Sequence, residues 1–217
     1  MHDNIALVEA RIDRFVRDRI APAVHRRRVP LALEAWEVPG EPVPFAEAVG
    51  QEFRPFVAGQ AWSRPWGTTW FHVRGEVPAG FGVDPATSLE LLVDLGFTLR
   101  QAGFQAEGLV WRPDGTIVKA IEPYNGYVPL TAIGQGVAPG TVVDLYLEAA
   151  SNPDIGGDDF HGVTPLGDPA TAGVDPIYAL RLVDLAERDD VVAELDRDVW
   201  TLVGLMRTHD LGAPRRH

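Results

Sequence analysis

Three carboxylates in apolar surroundings, Asp94, Glu107 and Glu148, have the types and settings that chemistry would use. Glycoside hydrolysis employs two carboxyl groups flanking a sugar, one of them kept protonated near neutral pH by burial. Spacing along the chain brings no two of these three to the separation such a pair needs. A strand carboxylate on a solvent-facing side is the preferred reading. A second cluster, Gly156-Gly157-Asp158-Asp159-Phe160-His161, combines hard oxygen ligands with an imidazole, a donor set suited to Ca²⁺ or a transition metal. It has the ligand spacing of neither an EF-hand loop nor a His-Glu-x-x-His helix, so a solvated loop is expected. His72 and His25 read as hydrogen-bonded structural residues. The chain contains no Gly-x-Ser-x-Gly elbow, no phosphate-binding Gly-Lys-Ser/Thr loop and no dinucleotide fingerprint. Neither catalytic nor metal residues are assigned within it.

Aromatic residues offer a different chemistry. Trp62, Trp66 and Trp70, half of the six Trp, recur at four-residue steps within Trp62–Val73. Pro65 and Gly67 argue against a helix, and the β-branched pair Thr68-Thr69 favours a turn entering a strand. A four-residue step along an extended chain keeps side chains on one face, so Trp66 and Trp70 are expected to share a surface. All three are candidates for a ligand or interface contact: either core or inter-domain packing, or stacking against the apolar face of a sugar. Trp66, between Pro65 and Gly67, is the expected exposed member.

Composition narrows the partners. With 19 Lys+Arg against 31 Asp+Glu the formal charge is -12, which repels phosphate backbones and anionic lipid, so neither nucleic acid nor membrane is an expected partner. No apolar run approaches the roughly 20 residues of a membrane span. The absence of Cys removes disulfides and thiolate chemistry and fits a reducing, cytoplasmic setting. At 217 residues the chain is long enough to bury a sizeable core.

These groups must be held by regular elements. Asp3 or Asn4 is placed to cap a helix with the stripe Ile5, Val8, Ile12, Phe15 and Val16, expected to stop before Pro22. The basic cluster His25-Arg26-Arg27-Arg28 follows, read as a linker pairing with local carboxylates or capping the helix end. A strand is expected over Val29–Trp36, short helical or irregular structure over Phe45–Gly59, and a half-buried strand over Trp70–Val77. Leu89–Leu95 is apolar enough to be covered on both faces. Ala106–Trp111 and Thr116–Ile121 flank Arg112-Pro113-Asp114-Gly115, a strong hairpin signal. Asn125-Gly126 turns into Tyr127–Leu130, and Val142–Ala149 alternates as a strand does. The fold expected is an antiparallel β-sandwich. Residues 153–175 read as a loop, and Asp175-Pro176 as the start of C-terminal helices ending near Arg207. The resulting organisation is 1–28 helix and basic linker, 29–152 sandwich, 153–175 loop and 176–209 helices.

Trp66-Gly67-Thr68-Thr69-Trp70-Phe71, together with Glu107-Gly108, Asn125-Gly126-Tyr127-Val128-Pro129-Leu130 and Leu147-Glu148-Ala149-Ala150-Ser151-Asn152-Pro153, resembles the N-terminal region of cytosolic and vacuolar α-mannosidases of glycoside hydrolase family 38. The resemblance is densest between Phe45 and Asn152. It implies a jelly-roll or galactose-binding-like sandwich flanked by helices, non-catalytic, preceding a larger catalytic domain that holds zinc. The zinc-binding His-x-Asp of the family has no counterpart here, since His2-Asp3 and His209-Asp210 are adjacent pairs. No zinc or other cofactor is therefore expected within this chain. The partners implied are the downstream catalytic domain and other subunits of an oligomer; the alternative is a stand-alone carbohydrate-binding module that takes mannose-containing oligosaccharides through its Trp residues.

Overall fold

The computed structural model describes residues 5–98, 105–134, 138–153 and 173–208. Two antiparallel sheets face one another. The smaller runs β1 (His25–Pro30), β12 (Leu182–Asp189), β6 (Thr87–Asp94), β9 (Tyr127–Pro129). The larger runs β3 (Arg54–Phe56), β2 (Ala32–Glu37), β5 (Thr68–Glu76), β10 (Val142–Ala150), β7 (Glu107–Trp111), β8 (Ile117–Ile121). A short ribbon pairs β4 (Ala61–Trp62) with β11 (Tyr178–Ala179). Two-residue alternation builds the core: Phe71 and Val73 of β5 with Leu145, Leu147 and Ala149 of β10 meet Leu89, Leu91 and Val93 of β6 and Val183 and Leu185 of β12. The Arg112–Gly115 hairpin forms as expected, closed by Arg112 N–H to the Thr116 carbonyl at 2.8 Å.

The single strand expected over Val29–Trp36 is two strands in different sheets. Leu31 N–H donates to the Val183 carbonyl at 3.1 Å, and just beyond it the chain leaves the smaller sheet for the larger. The basic cluster assigned to a linker is edge strand β1, and its partners come from far along the chain. Arg27 donates from Nε and Nη2 to Glu187 at 2.9 and 2.7 Å, and Arg26 bridges Asp84 and Asp189. Arg27 holds the Glu187 carboxyl below its ordinary range. A charged edge also resists pairing with another chain.

The N-terminal helical run, which begins as α1 (Ile5–Phe15), continues past Pro22 instead of stopping before it. A π-turn over Val16–Ile20 widens the backbone, with Ala21 N–H reaching the Val16 carbonyl, and α2 (Ala21–Val24) follows with Pro22 in its first turn, where its missing N–H costs nothing. Asp3 and Asn4, the residues expected to cap α1, lie outside the described residues.

At the other end, the helix expected from Asp175-Pro176 is instead β11 and β12. Val183 and Leu185 face the core while Leu182, Asp184 and Arg188 face outward, a period of two that outweighs the looser helical spacing of Ile177, Leu180 and Val183. The C-terminal helix is confined to Asp190–Thr208, where the Asp189 carboxylate accepts from Val191 and Val192 N–H at 3.0 Å each.

A second, smaller core covers the outer face of the larger sheet. The segment carrying α3 (Phe45–Ala48) lies across β5, burying Val38, Ala48 and Trp70 among Trp36, Val43, Phe45, Phe53, Trp111 and Tyr146. Strand β5, expected to be half-buried, is therefore covered on both faces. The helix Asp190–Thr208 is called α4 below.

Candidate functional site

The three Trp candidates part company. Trp62 is buried in the main core, its Nε1–H donating to the Leu95 carbonyl at 2.9 Å and its ring stacked on Tyr178. Trp70 is fully buried in the second core, edge-on to Phe45 at 5.9 Å. Trp66 alone reaches solvent, at 37% exposure. Trp66 and Trp70 thus share no accessible face. The expected alternation fails because Ser63 and Trp66 take positive φ of 51° and 63°, so the chain is coiled rather than extended where the spacing is counted. Trp66 N–H to the Ser151 carbonyl (2.8 Å) and Ser151 N–H to the Gly67 carbonyl (2.9 Å) fasten this coil to the end of β10.

Two of the three carboxylates come together. Glu107 and Glu148, with Glu122 beside them, line an open groove of about 350 Å³ on the outer face of the larger sheet, walled by Leu109, Ala120 and Pro42. The register explains it: Glu148 lies opposite Leu109 and Ala150 opposite Glu107, so all four point to one side of β10 and β7. Asn152 Nδ2 donates to Glu107 at 2.9 Å, and Trp111 Nε1–H to Glu148 at 3.2 Å. Burial pushes the Glu148 carboxyl above its ordinary pKa, partly opposed by the Trp111 hydrogen bond. Asp94 stands apart in the smaller sheet. Its carboxylate caps Gly96 and Phe97 N–H at 2.9 and 3.2 Å and pairs with Arg181, a structural role.

A raised carboxyl pKa costs stability once the group ionises. The sign follows: folded Glu148 holds its proton more tightly than the unfolded chain, so its contribution is greatest below the ordinary carboxylate pKa of about 4 and declines as pH rises through the elevated folded value. Glu148→Gln is accordingly expected to raise the melting temperature at pH 7.5 relative to wild type and to leave it nearly unchanged at pH 3.5. Paired thermal melts read this directly, and a lower midpoint for the variant at pH 7.5 contradicts it.

The histidines are engaged. His72 Nε2–H donates to Asp144 at 2.7 Å with the ring stacked on Tyr146 at 4.3 Å, and His25 Nε2–H donates to Glu90 at 2.6 Å. Among the described residues no three His, Cys, Asp or Glu side chains gather closely enough to hold a metal ion. Gly156–His161 lies outside the described residues. The sequence reading missed Glu122 and Pro42 as groove walls. Glu122 follows β8 by one residue, and an alternation count from Ala120 places it on the same face. Pro42 arrives from a distant segment and leaves no local signal.

Two solved structures align with part of the chain. A protein from Bacteroides fragilis named as a beta-galactosidase aligns at TM-score 0.41 and 13% identity over 75% of this chain and 23% of its own. The beta-glucuronidase of Faecalibacterium prausnitzii aligns at 0.41 and 15% identity over 76% of this chain and 32% of its own, so the chain spans less than a third of either length. No curated protein sequence matches the chain. A family model described as alpha-mannosidase, jelly roll domain, matches residues 29–186, from the last two residues of β1 through most of β12. With β2 to β11 wholly inside the matched span, the chain belongs to the alpha-mannosidase jelly roll domain family.

Proposed function

We propose that this chain is a non-catalytic N-terminal accessory domain of a zinc-dependent retaining α-mannosidase, cytoplasmic, whose helices dock against the catalytic domain or another subunit. One observation carries the reading. Helix α4 has two apolar faces: Val192, Val199 and Val203 are half-buried against the body, while Val191, Leu195, Leu202 and Leu205 form a second stripe left in solvent, with Leu202 63% exposed. The four-, seven- and three-residue steps between the latter put them on one side of the helix. Helix α1 adds Leu7, Val8 and Phe15, also exposed, and Arg207 of α4 pairs with Asp13 of α1 at 2.8 Å. An exposed apolar stripe of this kind supports docking through these helices.

The chain is expected to co-purify with a separately expressed catalytic domain, and the double change Leu195→Asp and Leu202→Asp to weaken that association by roughly tenfold or more with circular dichroism unchanged. Turnover of an aryl α-mannoside by the purified chain with added zinc, abolished by Glu148→Gln, overturns the proposal. The second reading, a stand-alone carbohydrate-binding module, draws on the exposure of Trp66, and the titration described next separates it.

A further inference from the structure

We infer that the outer face of the smaller sheet, roofed by α4, is a binding site for a single neutral sugar ring. The proposal does not rest on the accessory-domain reading. Each of the four strands contributes one side chain to the floor: His25 from β1, Arg188 from β12, Glu90 from β6 and Tyr127 from β9. With α4 and the turn before β9 they border an open cleft of about 700 Å³, within the roughly 300–1,000 Å³ of small-molecule pockets.

The floor is polar and held rigid. Glu90 is 3% exposed and accepts from His25 Nε2–H at 2.6 Å and from Arg188 Nη1 at 3.3 Å, while Arg188 also donates to Asp190 at 2.9 Å. The walls are aromatic: Tyr124 and Trp200, the latter 72% exposed on the side of α4 opposite the Val191–Leu205 stripe. An indole presented to solvent above a fixed array of charged hydrogen-bonding groups suits a ring with one apolar face and hydroxyls around its edge.

The charges decide among ligand classes. Three carboxylates, Glu90, Asp190 and Asp196, stand against three cations, Arg188, Arg197 and Lys119, around the pocket, so neither sign dominates to hold an ion. A purely apolar ligand would bury these groups without replacing their water, at considerable cost. Vicinal hydroxyls can donate to the carboxylates and accept from the guanidinium groups at once.

The test titrates the full chain, by calorimetry and Trp emission, with methyl α-mannopyranoside, glucose and galactose, using cyclohexanol and inorganic phosphate as controls. At least one sugar is expected to bind saturably with a dissociation constant of order millimolar, the range for a ligand of about a dozen heavy atoms. Trp200→Ala is expected to weaken it roughly tenfold, Tyr124→Ala several-fold, and Trp66→Ala not at all. Both Trp200 and Tyr124 are largely exposed, so these variants leave the folded core in place. Absence of saturable binding by every sugar overturns the inference. So does binding insensitive to Trp200→Ala, or equally tight binding of cyclohexanol or phosphate. Loss of binding in Trp66→Ala instead overturns this site and supports the stand-alone module. Leu195 and Leu202 lie on the other side of α4, so failure of the association experiment leaves this result untouched.

Discussion

Trp70→Ala is expected to destabilise the domain by about 3–5 kcal/mol, lowering the melting temperature by roughly 10–15 °C for a chain of this size. Trp70 is fully buried, and its ring is the centre of the second core, in contact with Phe45 at 5.9 Å and Trp111 at 5.9 Å. Truncation leaves a cavity that α3 cannot fill without leaving the sheet, because Phe45 is also stacked on Trp111 at 5.3 Å and edge-on to Tyr146 at 5.6 Å. Trp70→Phe separates volume from polarity. The Trp70 Nε1–H has no hydrogen-bond partner among the described residues, so removing it relieves an unpaired donor while most of the aromatic volume remains. That variant is expected to lose less than about 1.5 kcal/mol. Chemical denaturation of both measures the contrast, and equal losses would refute the assignment of Trp70 to packing alone.

Gly96→Ala is the second large effect. Gly96 holds φ at +101°, and a Cβ there would lie 2.5 Å from the Ala179 carbonyl oxygen and 3.0 Å from its amide nitrogen. Both obstacles are backbone, so β11 itself has to retreat. Trp62 and Tyr178 then lose their stacking, because the β4–β11 ribbon is what holds those rings together over the core. Strain and overpacking together suggest a loss of about 2–4 kcal/mol, with Trp62 emission shifting to the red as it meets water. Gly40→Ala is the control: nothing lies within 4 Å of a Cβ at Gly40 and its φ is not positive, so its melt should match wild type. A Gly96→Ala melt that also matches wild type would show that the ribbon is not fixed by this contact.

Much of the sandwich was legible because its strands carry their own signal. Val143, Leu145 and Leu147 alternate with Asp144, Tyr146 and Glu148, and a two-residue period is visible wherever one face is buried and the other is not. The hairpin at Arg112–Gly115 was legible because turn chemistry is local. What failed depends on residues distant in the chain. Trp70 fell on the polar face of a half-buried strand, with His72, Arg74 and Glu76, because nothing near it announces the α3 segment that covers that face. The crossing at Leu31 depends on the Val183 carbonyl, and the extended course of 178–189 on pairing with β6 and β1. A Pro ordinarily ends a regular α-helix, and the π-turn that lets this helical run continue through Pro22 was not foreseeable from propensity. Glu107 and Glu148 were singled out singly, and only the register of β7 on β10 unites them. Trp200 falls outside the apolar stripe of α4, which is why helical periodicity passed over it.

The pairing of β1 with β12 sets an order of events during synthesis. Arg27 and Glu187 are 160 residues apart, so the first strand leaves the ribosome long before its neighbour exists. Such distant pairings close late and fold slowly. In the interval β1 is an unsatisfied strand, and its three consecutive arginines, Arg26, Arg27 and Arg28, make it a poor template for aggregation with other nascent chains. Arg26 and Arg27, which later lock the sheet to buried carboxylates, thereby serve as gatekeepers while the chain is still growing.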